Sequence, residues 1–133
     1  MEYTFQLQAK LTELSTLRDQ FEMIFEKEAL FNDLTRKNIL LALTELFVNV
    51  VKHGDVPETS SVQYEIHRSR DELEIVMRDW GNSYDPFSVP PPDISLLPES
   101  GYGVYLVRSL MDSFDYYPKT AVQPNTTRIT KQA

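Results

Sequence analysis

Apolar residues recur along the chain at spacings that predict strands and helices in alternation. Residues Tyr3–Ala9 alternate in polarity, which is typical of a strand at the edge of a sheet. From Lys10 to about Glu28 the apolar residues recur three and four positions apart, which predicts an amphipathic helix. A second helix is predicted from about Leu34 to His53, with Asn32 or Asp33 as its cap.

The second half of the chain predicts a β-hairpin, a long loop, a third helix and two short strands. The loop covers residues 81–100, which are rich in proline and show little periodicity. The other elements are expected at Ser60–Arg68, Glu72–Asp79, Tyr102–Asp112, Phe114–Pro118 and Thr126–Lys131. This order predicts one α+β domain over residues 1–133, a two-layer α/β sandwich whose mixed, mostly antiparallel sheet is covered on one face by helices.

Composition narrows the classes of protein to which the chain can belong. Its 133 residues include no cysteine and two histidines, so neither disulfides nor a typical catalytic zinc site is expected. No apolar run approaches the roughly 20 residues that span a bilayer, and the N-terminus does not look like a signal peptide, so we expect a cytoplasmic protein without membrane association. The net charge of −7 argues against direct nucleic-acid binding and favours a protein partner or a small ligand.

The second predicted helix carries polar residues within a strongly apolar stretch. Glu45 and Asn49 lie four residues apart and therefore share one helical face. They could belong to a buried hydrogen-bond network or to a solvent-facing edge. They could equally form a magnesium and phosphate site, because an amide oxygen and a carboxylate suit Mg²⁺, and a carboxylate can act as a general base toward a hydroxyl.

An aspartate occupies an inward-facing position at the end of a predicted strand. Asp79 shares the parity of Ile75 and Met77, so its carboxylate is expected to face the core and to need a hydrogen-bond donor. The exocyclic amino group of adenine would be such a donor. Capping of the following loop by Asp79 is the simpler alternative.

Two glycines mark the start of the third predicted helix. Gly101 and Gly103 would let a phosphate approach the backbone closely, and a helix N-terminus offers free amide donors and a partial positive charge. An ordinary turn is the alternative. An acidic protein could accommodate a nucleotide in this way without a basic surface patch.

In this order and spacing, the three segments resemble the motifs of the GHKL ATPase superfamily, which includes the gyrase, Hsp90, histidine kinase and MutL types. Glu45–Gly54 is similar to that family's N box, and Asp79–Gly81 is similar to its first glycine box. The segment Gly101–Leu106 is similar to its second glycine box. Within the superfamily, the whole chain most resembles the anti-sigma-factor serine/threonine kinases. The resemblance implies a Bergerat-type ATP-binding fold in which residues 81–100 form a mobile lid.

The resemblance also implies a role for each matched residue. Glu45 would be the catalytic general base, and Asn49 would coordinate the Mg²⁺ that bridges the phosphates of ATP. Asp79 would accept a hydrogen bond from the adenine amino group, with Gly81 allowing close approach. The residues expected to contact the nucleotide are Asn49, His53, Asp79, Gly81, Gly101, Tyr102, Gly103, Val104 and Thr127.

One departure from the family pattern leaves the adenine neighbour undecided. The glycine that commonly precedes the family's terminal threonine is absent, and Thr126 stands in its place. Either Thr126 or Thr127 could therefore lie beside the base.

The activity that the resemblance implies is ATP-dependent phosphorylation of a small STAS-like anti-anti-sigma protein, together with binding of a sigma factor and a possible homodimer. The alternative is a regulatory binding module in which the nucleotide sets partner choice without phosphoryl transfer. A detached catalytic domain of a sensor histidine kinase is a third possibility, which we do not expect because residues 1–133 predict no helical hairpin that carries an acceptor histidine.

Overall fold

The computed structural model describes residues 2–83 and 100–133. Its helices are α1 (Leu14–Glu28), α2 (Asp33–His53) and α3 (Ser100–Leu110), and a single 3₁₀ turn, Leu11–Glu13, precedes α1. Its strands are β1 (Glu2–Gln8), β2 (Ser61–Arg68), β3 (Glu72–Asp79), β4 (Ser113–Tyr117) and β5 (Asn125–Gln132). The predicted elements are all present, with boundaries that move by a few residues at most. Residues 84–99 of the predicted loop lie outside the described residues.

The five described strands form one sheet in the order β1-β2-β3-β5-β4, and every pairing between them is antiparallel. The predicted α+β sandwich is therefore confirmed, with β1 at the edge as its alternation indicated. The hairpin of β2 and β3 sets the register that carries Tyr64 opposite Met77. The next pairing places Thr127 opposite Met77 and Asn125 opposite Asp79.

One face of the sheet packs against the helices and the other carries charge. Alternate residues of β2 and β3 point into the core, which also takes the apolar faces of α1 and α2. On the opposite face Arg78 donates to Glu65 at 2.7 Å, and Arg128 pairs with Glu74. Because side chains alternate between faces, an inward-facing polar residue on β3 or β5 must lie in the helix-covered layer.

The ends of α2 are defined by local interactions. Asn32 is the N-cap, since its side-chain oxygen accepts a hydrogen bond from the Thr35 amide at 2.9 Å, and Asp33 is the first helical residue. At the other end, a Cβ atom on Gly54 would lie only 2.5 Å from the Val50 carbonyl oxygen. The Gly54 carbonyl accepts a hydrogen bond from the Asn82 amide at 2.7 Å. The end of α2 is thus joined to the turn that follows β3.

Candidate functional site

Glu45 lies against the first turn of α3. A Cβ atom on Gly103 would lie 2.8 Å from Glu45 Oε2, closer than real Cβ atoms come to their neighbours. Glycine at 103 therefore lets the helix backbone approach the carboxylate. The helix begins at Ser100, two residues before the predicted start at Tyr102, so Gly101 also lies within its first turn. The amides of the first three residues of α3, Ser100, Gly101 and Tyr102, have no acceptor inside the helix, as at any helix N-terminus.

Val104 and Tyr102 are the other residues of α3 that were predicted to contact the nucleotide. Val104 is buried in the core, so its side chain packs inside the protein, and its backbone amide lies one full turn into α3. Tyr102 belongs to the first turn of α3, and its side chain falls outside what the structure describes. The predicted glycine-bearing helix start is present.

The polar residues of α2 form a half-buried row on one face. Glu45 and Asn49 are both partly exposed, and His53, one turn further along, is exposed at the last residue of the helix. Within residues 2–83 and 100–133, neither the Glu45 nor the Asn49 side chain has a hydrogen-bond partner, whereas the Thr44 hydroxyl donates to the Leu40 carbonyl at 2.8 Å. The described part of the chain therefore does not show the buried hydrogen-bond network that was one alternative for these two residues.

Asp79 faces the helix layer at the end of β3, as its parity predicts, and is only 6% exposed. Its Oδ1 accepts hydrogen bonds from the Gly81 amide at 2.9 Å and from Asn125 Nδ2 at 3.1 Å. Burial raises the pKa of Asp79, and the two hydrogen bonds and the Lys119 charge oppose that rise. The loop-capping alternative is also realised, since the Gly81 bond closes the turn.

Gly81 is required by the protein itself. A Cβ atom at Gly81 would lie 3.0 Å from both the Cα and the carbonyl oxygen of Gly54, and 3.1 Å from Asp79 Oδ1. A side chain there would push the turn away from the end of α2. The sequence suggested a close approach to a ligand, and the structure shows a close approach between two glycines that joins the α2 motif to the β3 motif.

Thr127 and Thr126 differ in where their hydroxyl groups lie. Thr127 is 1% exposed on the helix-covered face, and its Oγ1 has no hydrogen-bond partner among the described residues. Thr126 is half-buried on the other face and donates to the Pro124 carbonyl at 3.2 Å. A buried hydroxyl without a partner is costly in a protein interior, so the Thr127 side chain fits a site that a ligand or water completes.

Sequence reasoning missed Asn125. This residue is 1% exposed and bonds to the Asp79 carboxylate and, through Nδ2 at 2.7 Å, to the Gly81 carbonyl. The signal was present, since Asn125 has the parity of Thr127. It was overlooked because β5 was predicted to begin at Thr126, one residue too late.

No helix of the described residues is long and apolar enough to cross a membrane. In the same part of the chain, no three His, Cys, Asp or Glu side chains are grouped so as to hold a metal ion. A magnesium ion ordinarily takes one or two protein oxygens and completes its shell with phosphate oxygens and water.

Comparison with known proteins identifies the family and the fold. A model of the histidine kinase-like ATPase domain matches residues 7–131. A serine-protein kinase RsbW from Bacillus cereus (strain AH187) is 29% identical over 57% of this chain and 52% of its own length. The RsbW of Staphylococcus aureus (strain bovine RF122 / ET3-1) is 30% identical over 69% of this chain and 64% of its own length. The chain thus spans about half the length of the first of these curated relatives.

Two solved structures share the fold at low sequence identity. The RsbU and RsbW domains of Rv1364c from Mycobacterium tuberculosis align over 98% of this chain and 32% of that one, with a TM-score of 0.70 and 14% identity. The mycobacterial sensor histidine kinase MprB aligns over 99% of this chain and 97% of the other, with a TM-score of 0.58 and 15% identity. The motif order, the sandwich and the family match agree, and the chain belongs to the family of histidine kinase-like ATPase domains.

Proposed function

We propose that this chain is an ATP-dependent serine/threonine protein kinase of the anti-sigma type, which phosphorylates a small STAS-like protein and binds a sigma factor in the cytoplasm. The observation that carries the proposal is the position of Glu45, whose carboxylate lies against the first turn of α3. A carboxylate beside a helix N-terminus would stand next to the phosphates that such a terminus binds. The curated relatives named serine-protein kinase support the same activity.

The residues at the end of β3 fit an adenine base. Asp79 presents a carboxylate in the helix-covered layer, and Thr127, on the same face of the neighbouring strand, has a buried hydroxyl without a partner in the described chain. A base with an exocyclic amino group would supply a donor to the second oxygen of the Asp79 carboxylate, since both hydrogen bonds in the described chain go to Oδ1. We propose that Asp79 and Thr127 bind adenine, with Gly81 closing the turn beside them.

The α2 and α3 residues fit the phosphate end of the nucleotide. The free amides at the start of α3, including that of Gly101, would hold the phosphates, and Gly103 would keep the approach clear of a side chain. Asn49 would provide an amide oxygen to Mg²⁺, which neutralises charge on the phosphates when bound. His53 completes the proposed binding row at the exposed end of α2.

Glu45 would then act on the hydroxyl of the acceptor protein. In the proposed step the serine or threonine oxygen forms a bond to the γ-phosphorus, the bond from that phosphorus to the β–γ bridging oxygen breaks, and ADP leaves. The hydroxyl proton passes to the Glu45 carboxylate. Phosphoryl transfer depends mainly on positioning and electrostatic stabilisation, so this small set of groups is sufficient.

The test is a phosphotransfer assay with Mg·ATP labelled at the γ-phosphate and a purified STAS-like anti-anti-sigma protein as the acceptor. We expect acid-stable phosphoserine or phosphothreonine on that protein. Glu45→Gln should abolish transfer and leave ATP affinity within a few-fold, while the exposed Glu58→Gln should behave as the wild type. If the wild type binds ATP but transfers no phosphate, and Glu45→Gln leaves partner regulation unchanged, the chain is a nucleotide-dependent binding module. Acid-labile phosphohistidine would instead identify a sensor-kinase domain.

A further inference from the structure

Asn125 stands where three segments of the candidate adenine site meet. It is the first residue of β5, and its cross-strand partner is Asp79, at the end of β3. Its side chain is 1% exposed and lies in the helix-covered layer. A buried side-chain amide must find donors and acceptors inside the protein, so its partners define its role.

All the hydrogen-bonding capacity of the Asn125 side chain is used. Nδ2 donates one hydrogen to Asp79 Oδ1 at 3.1 Å and the other to the Gly81 carbonyl at 2.7 Å. Oδ1 accepts from Ser83 Oγ at 2.6 Å and from the Lys119 amide at 2.8 Å. A primary amide has two donor hydrogens and two acceptor lone pairs, so four bonds saturate it.

The amide can face only one way in this environment. Turning it over would place Oδ1 against the Asp79 carboxylate and the Gly81 carbonyl, which are both acceptors, and would place Nδ2 against the Lys119 amide donor. The donor side of Asn125 is therefore held toward Asp79. In the described part of the chain, both hydrogen bonds to the Asp79 carboxylate go to Oδ1, so the other carboxylate oxygen is available to a ligand.

We propose that Asn125 is a positioning residue for base recognition: its amide holds the Asp79 carboxylate and the Gly81–Ser83 turn so that the second carboxylate oxygen faces the amino group of adenine. This inference rests on the proposed function and adds a residue to it. Asn125 does not itself contact the nucleotide and acts only through Asp79. The Lys119 charge also acts to lower the pKa of the Asp79 carboxyl, and burial together with the Asp79 charge raises the pKa of the neighbouring Tyr64 phenol.

If Asn125 only stabilised the fold, its replacement would change the affinity for all nucleotides equally. If it positions Asp79, its replacement should change the affinity only for nucleotides that carry the amino group. The experiment therefore measures the dissociation constants of Mg·ATP and of Mg·purine riboside triphosphate, which lacks the amino group, by calorimetry. The variants are Asn125→Ala and the isosteric Asn125→Asp. Thr126→Ala is the matched control, because it removes a hydrogen bond from the next residue of the same strand without touching Asp79.

We expect the wild type to prefer ATP by about tenfold or more, as one hydrogen bond to a charged group allows. Asn125→Ala should abolish most of this preference by weakening ATP binding, with little change for the analogue, and Thr126→Ala should keep it. Asn125→Asp should lose the preference where both carboxyl groups are ionised. It should recover part of it as the pH is lowered, because one proton shared with Asp79 then restores a donor.

If both Asn125 variants fold and still prefer ATP over the analogue as strongly as the wild type does, this inference is overturned and the proposed function stands. Absence of ATP binding by the wild type would overturn both. If neither variant folds, the wild type still decides: the Asn125 side-chain NH₂ signals in the ¹⁵N–¹H spectrum should shift on addition of Mg·ATP and much less with the analogue. Equal shifts with the two nucleotides would overturn the inference.

Discussion

Gly103→Ala separates the stability of this protein from its proposed catalysis. The new Cβ atom would lie 2.8 Å from Glu45 Oε2 and 3.7 Å from the Cβ and Cδ of Glu45. Only the carboxylate oxygen is too close, and it belongs to the flexible end of a half-buried side chain. Ordinary contact at about 3.4 Å would be reached if the carboxylate moved by roughly 0.6 Å, within the range of a rotamer adjustment. The substitution should therefore displace the carboxylate without disrupting the helix.

Two effects of opposite sign follow from this geometry. Alanine in place of glycine in a helix raises the free energy of unfolding by about 0.5–1 kcal/mol, although a first-turn position gives less. A misplacement of about 1 Å in a reacting group can slow catalysis by about 100-fold. We therefore expect Gly103→Ala to be as stable as the wild type or slightly more stable, to bind ATP within a few-fold, and to transfer phosphate about 10- to 100-fold more slowly.

Urea unfolding, calorimetry with Mg·ATP and the phosphotransfer assay measure these three quantities. The matched control is the same substitution in the Glu45→Asp background, whose shorter side chain keeps a carboxylate and leaves room for the new methyl group. If Gly103→Ala acts by displacing the carboxylate, it should slow transfer less there than in the wild type, because the two changes affect one interaction and are not additive. A Gly103→Ala variant with full transfer would refute the assignment of Glu45 as the base. A variant that loses ATP binding to the same extent as transfer would show that the backbone of α3, and not Glu45, is what the methyl group disturbs.

Two further predictions concern the adenine end of the site. Thr127→Val removes a buried hydroxyl that has no hydrogen-bond partner in the described chain. In thermal melting, the nucleotide-free variant should lose no stability or gain about 1 kcal/mol, while its affinity for ATP falls. Thr126→Val is the control and should leave ATP affinity unchanged in the same assays. Burial raises the pKa of Asp79 in the folded state, so the folded protein binds this proton more tightly than the unfolded chain does. The contribution of Asp79 to stability should therefore become less favourable as the pH rises from the ordinary pKa of aspartate through the raised pKa. Asp79→Asn should remove that part of the pH dependence in nucleotide-free unfolding curves, and an unchanged curve would contradict it.

Much of the fold was predictable because its signals are local. The helical spacing of α1 and α2 and the alternation along the β2–β3 hairpin depend on residues a few positions apart, and a period of 3.6 or 2 is visible without any partner. The same logic placed Asp79 on the inward face of β3 and Glu45 and Asn49 on one face of α2. Those predictions required only the direction in which a side chain leaves its own backbone.

The tertiary structure alone decided the features that depend on distant segments. Asn125 meets Asp79 only because β5 pairs antiparallel with β3 in one register, and a shift of one residue would turn its side chain to the charged face. That register also distinguishes Thr127 from Thr126.

The close approach of Gly54 to Gly81 likewise joins residues far apart in the chain. Alternation along a strand determines which face a residue occupies, but only the pairing of strands and the packing of helices determine what it faces there. The sequence by itself therefore determined the elements, their order and the inward carboxylate, and the pairing of β3 with β5 decided which residues hold that carboxylate.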